Sequence, residues 1–254
     1  MKLSRASFTL LLLSTVALAQ TAAPPAPASA PASPPQKADV AAPKVGANVK
    51  NVERFHKMHD DFVAQAREGG IDLLFLGDSI TEGWAGKGKD VWAERYAKLN
   101  AANFGIGGDR TQHVLWRIEN GELENIKPKV VVLMIGTNNA GADTGEEIAS
   151  GVTKIVQTVR DKTGAKVLLL GVFPRGENAE KAAAPRAVIA KVNEIISKLD
   201  DGKNVRYLDL SDKFYEPDKS ISKDIMPDYL HPNARGYQIW ADGMQRLLDE
   251  MMKP

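Results

Sequence analysis

Four short blocks of the chain carry side chains suited to acyl-transfer chemistry. The first is Gly77-Asp78-Ser79-Ile80-Thr81-Glu82-Gly83. Its glycine permits a sharp strand-to-helix turn that lifts the Ser79 hydroxyl into the open, with the following backbone N–H groups pointing at whatever sits there. Taken alone, the same block also reads as a turn with an N-capping serine. The second is Asn103-Phe104-Gly105-Ile106-Gly107-Gly108-Asp109, whose bare backbone could donate an N–H to an anion or simply form a tight loop. It is not a dinucleotide fingerprint, because its glycine spacing does not match GxGxxG. The third, Gly136-Thr137-Asn138-Asn139, offers side-chain amides toward the same place as Ser79, or an Asx turn. In the fourth, Asp228-Tyr229-Leu230-His231-Pro232, Asp and His stand three residues apart on a short turn. There a carboxylate can hold the imidazole Nδ1–H and leave Nε2 free to accept a serine proton.

These blocks need a scaffold that brings them to one mouth, and the hydropathy pattern supplies it. Apolar runs of strand length occur at 73–76, 130–135, 167–170 and 205–208, with a weaker one around 101–104. Helical stretches are expected near 49–68, 111–120, 144–161, 182–199 and 233–251. Runs without polar alternation indicate strands covered on both faces, and βα alternation implies a parallel sheet with right-handed crossovers. The expected fold is therefore α/β, a three-layer α/β/α (flavodoxin-like) domain around a parallel sheet of about five strands. In such a sheet ligands bind beyond the carboxyl ends of the strands, where all four blocks lie.

Composition removes several other classes. With 33 Lys+Arg against 32 Asp+Glu there is no basic surplus for phosphates, so no nucleic-acid partner is expected. The absence of cysteine excludes disulfides, thiolate-bound metals and a cysteine nucleophile. At the amino end, Lys2 and Arg5 precede an apolar run from Phe8 to Val16 and then Ala17-Leu18-Ala19. This pattern reads as a signal peptide over 1–19, too short for a membrane span, so export to the periplasm or extracellular space is expected, without stable membrane insertion. Residues 20–47 are rich in Ala and Pro and read as a semi-rigid linker, followed by the catalytic domain over 48–254. His56 and His59 share a helix without an evident third ligand, and neither metal nor cofactor is expected.

Together the four blocks resemble the SGNH subgroup of the GDSL esterase/lipase superfamily. The stretches NFGIGGDRTQHVLWRIENGELENIKPKVVVLMIGTNN, GVFPRG and DYLHPNARGY are especially similar to the catalytic subunits of platelet-activating-factor acetylhydrolase. The resemblance implies a carboxylic ester hydrolase with Ser79 as nucleophile, His231 as general base and Asp228 as its orienting carboxylate. It implies an oxyanion hole from the backbone N–H of Ser79, that of Gly108 and the side-chain amide of Asn138. Many superfamily members carry Asp where this chain has Asn139; the acetylhydrolase-like subgroup carries Asn. Ile80, Thr137 and Leu230, adjacent to these groups, are expected to wall a small substrate pocket favouring short acyl chains. The expected substrate is a small-molecule or glycan ester, with O-acetyl groups on carbohydrate suiting an exported enzyme. A lysophospholipase or thioesterase for longer chains, or a non-catalytic tethered binding module, are the alternatives. Trp116, Arg117, Glu119 and Arg175 could touch the substrate alcohol or form ordinary ion pairs, and the TQHVLWRIENGEL stretch could serve a homodimer interface.

Overall fold

The computed structural model describes residues 36–253. The expected signal peptide and most of the expected linker lie outside these residues. The apolar runs form five strands, β1 (Leu73–Gly77), β2 (Ala101–Gly105), β3 (Val130–Met134), β4 (Lys166–Leu170) and β5 (Val205–Leu208). They pair in parallel in the order β2-β1-β3-β4-β5. The eight helices among the described residues are α1 (Val49–Glu68), α2 (Ser79–Glu82), α3 (Lys89–Arg95), α4 (Thr111–Glu119), α5 (Gly145–Thr163), α6 (Ala183–Ile196), α7 (Ser211–Phe214) and α8 (Ala234–Met252). This is the expected three-layer α/β/α arrangement.

Successive side chains of a strand point to opposite faces, so each apolar run feeds two cores. Leu74, Leu76, Val131, Leu133, Val167 and Leu169 pack against α1, α4, α5 and α6. Leu73, Phe75, Val130, Val132, Leu168 and Leu170 pack against α3, α7 and α8. The second face is strongly aromatic: Phe75, Trp84, Trp92, Tyr96, Tyr237 and Trp240 form one continuous cluster. Helix starts follow the local chemistry. Thr144 and Glu147 form a reciprocal capping box at α5, and the Asn233 side chain caps α8 by accepting from the Gly236 N–H.

Residues 36–47 of the expected linker are among those the structure describes. Residues 36–44 lie against the domain as a strap across α4 and α5. Ala38 is 2% exposed. Its carbonyl accepts from Thr111 Oγ1 at 2.6 Å, and the Ala42 N–H donates to the Gln112 carbonyl at 3.2 Å. Ser150 Oγ and Lys154 Nζ both reach Asp39. Of the polar residues that interrupt the Ala/Pro composition, Gln36, Asp39 and Lys44 tie the segment down.

Candidate active site

The connection from β1 to α2 is unusually tight. A β-carbon at Gly77 would collide with Thr81 Oγ1 and the Met134 carbonyl, so only glycine lets the two elements approach. Asp78 then caps α2, its Oδ1 accepting from the Ile80 N–H at 2.9 Å, and Ser79 opens the helix at the carboxyl end of β1. Strand β3 is the neighbour of β1 on the other side of the switch in strand order, and it delivers Thr137, Asn138 and Asn139 to the same edge.

Before α8 the chain brings in the fourth block. Tyr229 adopts φ 60°, a left-handed conformation costly for a bulky residue. The turn is fixed by the Tyr229 N–H donating to the Met226 carbonyl and by the Gly176 N–H donating to the Tyr229 carbonyl, both at 2.8 Å. Asp228 Oδ1 accepts the backbone N–H groups of Leu230 and His231, and Oδ2 lies 2.6 Å from His231 Nδ1. His231 Nε2 lies 2.9 Å from Ser79 Oγ. The network assigns the tautomer: Nδ1–H donates to the carboxylate and Nε2 accepts from the serine hydroxyl. Partial burial pushes the Asp228 carboxyl up, but hydrogen bonds from the His231 ring and backbone outweigh it and hold the group below its usual value. The side chains of Asp228 and His231 remain 57% and 42% exposed, so the row opens directly to solvent.

On the opposite side of Ser79 runs the loop from Gly105 to Asp109. Gly108 has φ 73°, and neither its N–H nor that of Ser79 is committed to an acceptor among the described residues. The loop is gripped on both sides of Gly108. The Ile106 N–H donates to the Gly77 carbonyl, the Gly107 N–H to Glu82 Oε2 at 2.6 Å, and the Asp109 N–H to the Ile106 carbonyl. Glu82 is itself paired with Arg54. The Gly107 carbonyl accepts from Lys44 Nζ at 2.8 Å, and the Asp109 carbonyl from Asn138 Nδ2 at 2.8 Å. The same Asn138 nitrogen lies 3.4 Å from Asp78 Oδ2, a long contact that holds its second hydrogen weakly.

Beneath the loop is a buried set of charges. Arg117 is fully buried, donating Nε to Asp109 Oδ2 at 2.8 Å and pairing with Glu122. Its remaining nitrogen reaches the carbonyls of Gly77, the last residue of β1, and Phe104, the last but one of β2. His59 lies 3.0 Å from Glu122. Burial pushes the Asp109 carboxyl up, opposed by Arg117 and Lys44. Burial also raises Asp78, to about 7, with Asp109 adding to the rise while the Ile80 N–H and His231 oppose it.

The structure thus brings Ser79, His231 and Asp228 into one hydrogen-bonded row, with Gly108 and Asn138 across from it. The expected pocket walls fare differently. Ile80 is 1% exposed and packs in the aromatic-face core, because on the short helix α2 its side chain points away from the site. Thr137 is buried, with its carbonyl and hydroxyl accepting from Arg175. Leu230 alone of the three keeps partial exposure. Trp116 and Arg117 turn inward, Trp116 onto His59 and Phe55, so most of the 111–118 stretch is interior rather than free surface. Asn139 is fully buried and joins Thr111, Gln112 and Asp143. Lys44 and Arg54, which help hold the glycine loop, are missing from the sequence reading, and Asp109 and Glu82 stand in its blocks without a role. The one available signal was a lysine standing in a Pro/Ala segment otherwise poor in charge.

A model of the GDSL-like lipase/acylhydrolase family matches residues 75–239. The chain is 39% identical over 215 residues to platelet-activating factor acetylhydrolase IB subunit alpha2 of Rattus norvegicus, covering 84% of this chain and 91% of that one. A GDSL-like lipase from Bacteroides thetaiotaomicron shares the fold with TM-score 0.63 at 18% identity, over 77% of this chain and 97% of its own. The acetyl xylan esterase AlAXEase aligns with TM-score 0.57 and 25% identity, over 70% of this chain and 100% of its own.

Proposed function

This chain belongs to the GDSL-like lipase/acylhydrolase family and is a carboxylic ester hydrolase, and we propose that it removes short acyl groups, acetyl above all, through a Ser79–His231–Asp228 acyl-enzyme mechanism. The observation that carries the reading is the row of contacts at 2.9 and 2.6 Å from the serine hydroxyl through the imidazole to the carboxylate. Ser79 Oγ attacks the ester carbonyl while its proton passes to His231 Nε2, and the imidazolium is balanced by Asp228. The tetrahedral oxygen is received by the N–H groups of Ser79 and Gly108 and by the loosely held second hydrogen of Asn138. The alcohol departs with the proton from Nε2, and water repeats the sequence in reverse to free the acid.

Acetyl as the acyl group is supported by the names of two similar proteins, an acetylhydrolase and an acetyl xylan esterase. For the alcohol we favour carbohydrate. The exposure of Asp228 and His231 leaves the alcohol side open to solvent, so a polymer chain can extend away from the scissile bond. The pattern of the first 19 residues fits an exported enzyme that meets acetylated glycans outside the cytoplasm. The identity to an acetylhydrolase subunit favours a second reading, an acetylated phospholipid, and the word subunit in its name supports assembly into an oligomer.

The test is hydrolysis of p-nitrophenyl esters from acetyl to decanoyl, followed by acetate release from acetylated xylan and from an acetyl-bearing ether phospholipid. We expect rates that fall with chain length, acetate from the glycan, and loss of all turnover in Ser79→Ala. A rate rising toward decanoyl would refute the short-chain reading, and an active Ser79→Ala would refute the mechanism.

A further inference from the structure

We propose that Lys44, delivered by the strap, is a positioning residue for acyl transfer: it holds the Gly107 carbonyl, and so aims and polarises the peptide unit whose N–H is the Gly108 oxyanion donor. The inference rests on the Ser79 acyl-transfer reading and adds to it a residue from the segment expected to be linker.

The Gly107 carbonyl and the Gly108 N–H belong to one planar peptide unit, so fixing the direction of the oxygen fixes that of the hydrogen. Lys44 Nζ donates to this oxygen at 2.8 Å. Hydrogen bonds to the two ends of an amide strengthen one another, and a charged donor on the oxygen makes the N–H a better donor in turn. The glycine at 108, with its positive φ, has little intrinsic preference to hold this plane.

Lys44 is itself immobilised. Its side chain is 12% exposed, its ammonium lies 2.9 Å from Asp109 Oδ1, and it sits over the Phe55 ring at 5.2 Å from the centroid. Asp109 is anchored from below by Arg117. The strap fixes the backbone from which Lys44 reaches, through the contacts of Ala38, Asp39 and Ala42. Gln36 adds a further tie: its Nε2 donates to the Pro43 carbonyl, and its Oε1 accepts from His113 Nε2, whose Nδ1 accepts the Arg110 N–H. The O and H of a trans peptide unit point in opposite directions, so the ammonium stands behind the Gly108 N–H, on the side away from the oxyanion, and acts through the amide.

The experiment compares wild type, Lys44→Met and Lys44→Arg in the full chain. It reads kcat and KM for p-nitrophenyl acetate, inhibition by phenylboronic acid, whose tetrahedral serine adduct imitates the intermediate, and the melting temperature. We expect Lys44→Met to lose roughly tenfold in kcat, a part of the hundredfold or more that a whole oxyanion donor commands. KM should stay unchanged, boronate affinity should fall in parallel with kcat, and Lys44→Arg should recover most of both. If Lys44→Met fails to fold because Asp109 is left with Arg117 as its one cationic partner, the double variant with Asp109→Asn removes that carboxylate and is read in the same way. A folded Lys44→Met with wild-type kcat and boronate affinity would overturn the inference alone, even with a lowered melting temperature. A wild type that neither turns over esters nor binds the boronate would overturn the acyl-transfer reading and this inference with it.

Discussion

Replacing Asp78 by Asn should change how stability depends on pH, in a direction and by an amount that burial dictates. The carboxyl lies beneath the nucleophile with 1% exposure, and its pKa rises from 3.8 to about 7. In the unfolded chain the same group ionises near its ordinary value. Between these two values folding takes up a proton, so the stability due to the neutral form is complete below about pH 4 and disappears as pH climbs through about 7. At about 1.4 kcal/mol per pH unit, the rise corresponds to roughly 4 kcal/mol. The Asp78→Asn variant cannot titrate there. Its side-chain oxygen can still accept from the Ile80 N–H, while its amide meets that of Asn138, which adds a penalty independent of pH. Urea unfolding of both proteins from pH 4 to 8.5 isolates Asp78 and its coupling to Asp109 and His231 in their difference, because the carboxyls that do not face Asp78 titrate equally in each. The difference should move in favour of the variant by roughly 4 kcal/mol up to about pH 7 and then level off. Parallel curves over the whole range would refute the account of Asp78 as a buried, neutralised acid.

Two further outcomes follow from the site and its supports. Asn138→Ala should lower kcat on p-nitrophenyl acetate by about a hundredfold or more with KM little changed, since the lost donor serves charge that exists only in the transition state; a KM effect alone would contradict this. Arg117→Met leaves Asp109 and Glu122 as buried carboxylates without their guanidinium partner, and should cost about 3–5 kcal/mol in chemical unfolding. A loss below about 1 kcal/mol would show that this network is not the support described.

The parts of the molecule that depend on local pattern were readable from the residues. The covered strands β1, β3 and β4 leave apolar runs, and the partly exposed edge strands β2 and β5 also stand where runs were expected. Three of the four chemical blocks follow β1, β2 and β3 directly because βα connections place them there, and the fourth leads into α8. What escaped the reading depends on direction or distance. Ile80 follows the nucleophile in sequence, yet one residue along a helical turn points into the core. Arg117 carries a surface-type side chain on an amphipathic helix, and only the meeting of Asp109 and Glu122 around it explains its complete burial. Residues 36–44 have the composition of a spacer, and their docking rests on a few polar ties to α4 and α5 that lie far along the chain. The short helices α2, α3 and α7 are too brief for a periodic signal.

The aromatic layer also gives the protein a built-in optical reporter. Of its four tryptophans, Trp84, Trp92 and Trp240 share one cluster, with ring centroids 4.9 Å apart for Trp84 and Trp240 and 6.1 Å apart for Trp84 and Trp92. Indole transitions at such separations mix, so this face should generate an exciton couplet in circular dichroism and share excitation rapidly among its members. Trp116 stands on the other side of the sheet, on α4 under the strap and beside His59, and emits on its own. Loss of the couplet with Trp116 emission unchanged would report loosening of α3 and α8, and a spectral change in Trp116 alone would report release of the strap side, which lets one spectrometer follow the two faces of the sheet separately.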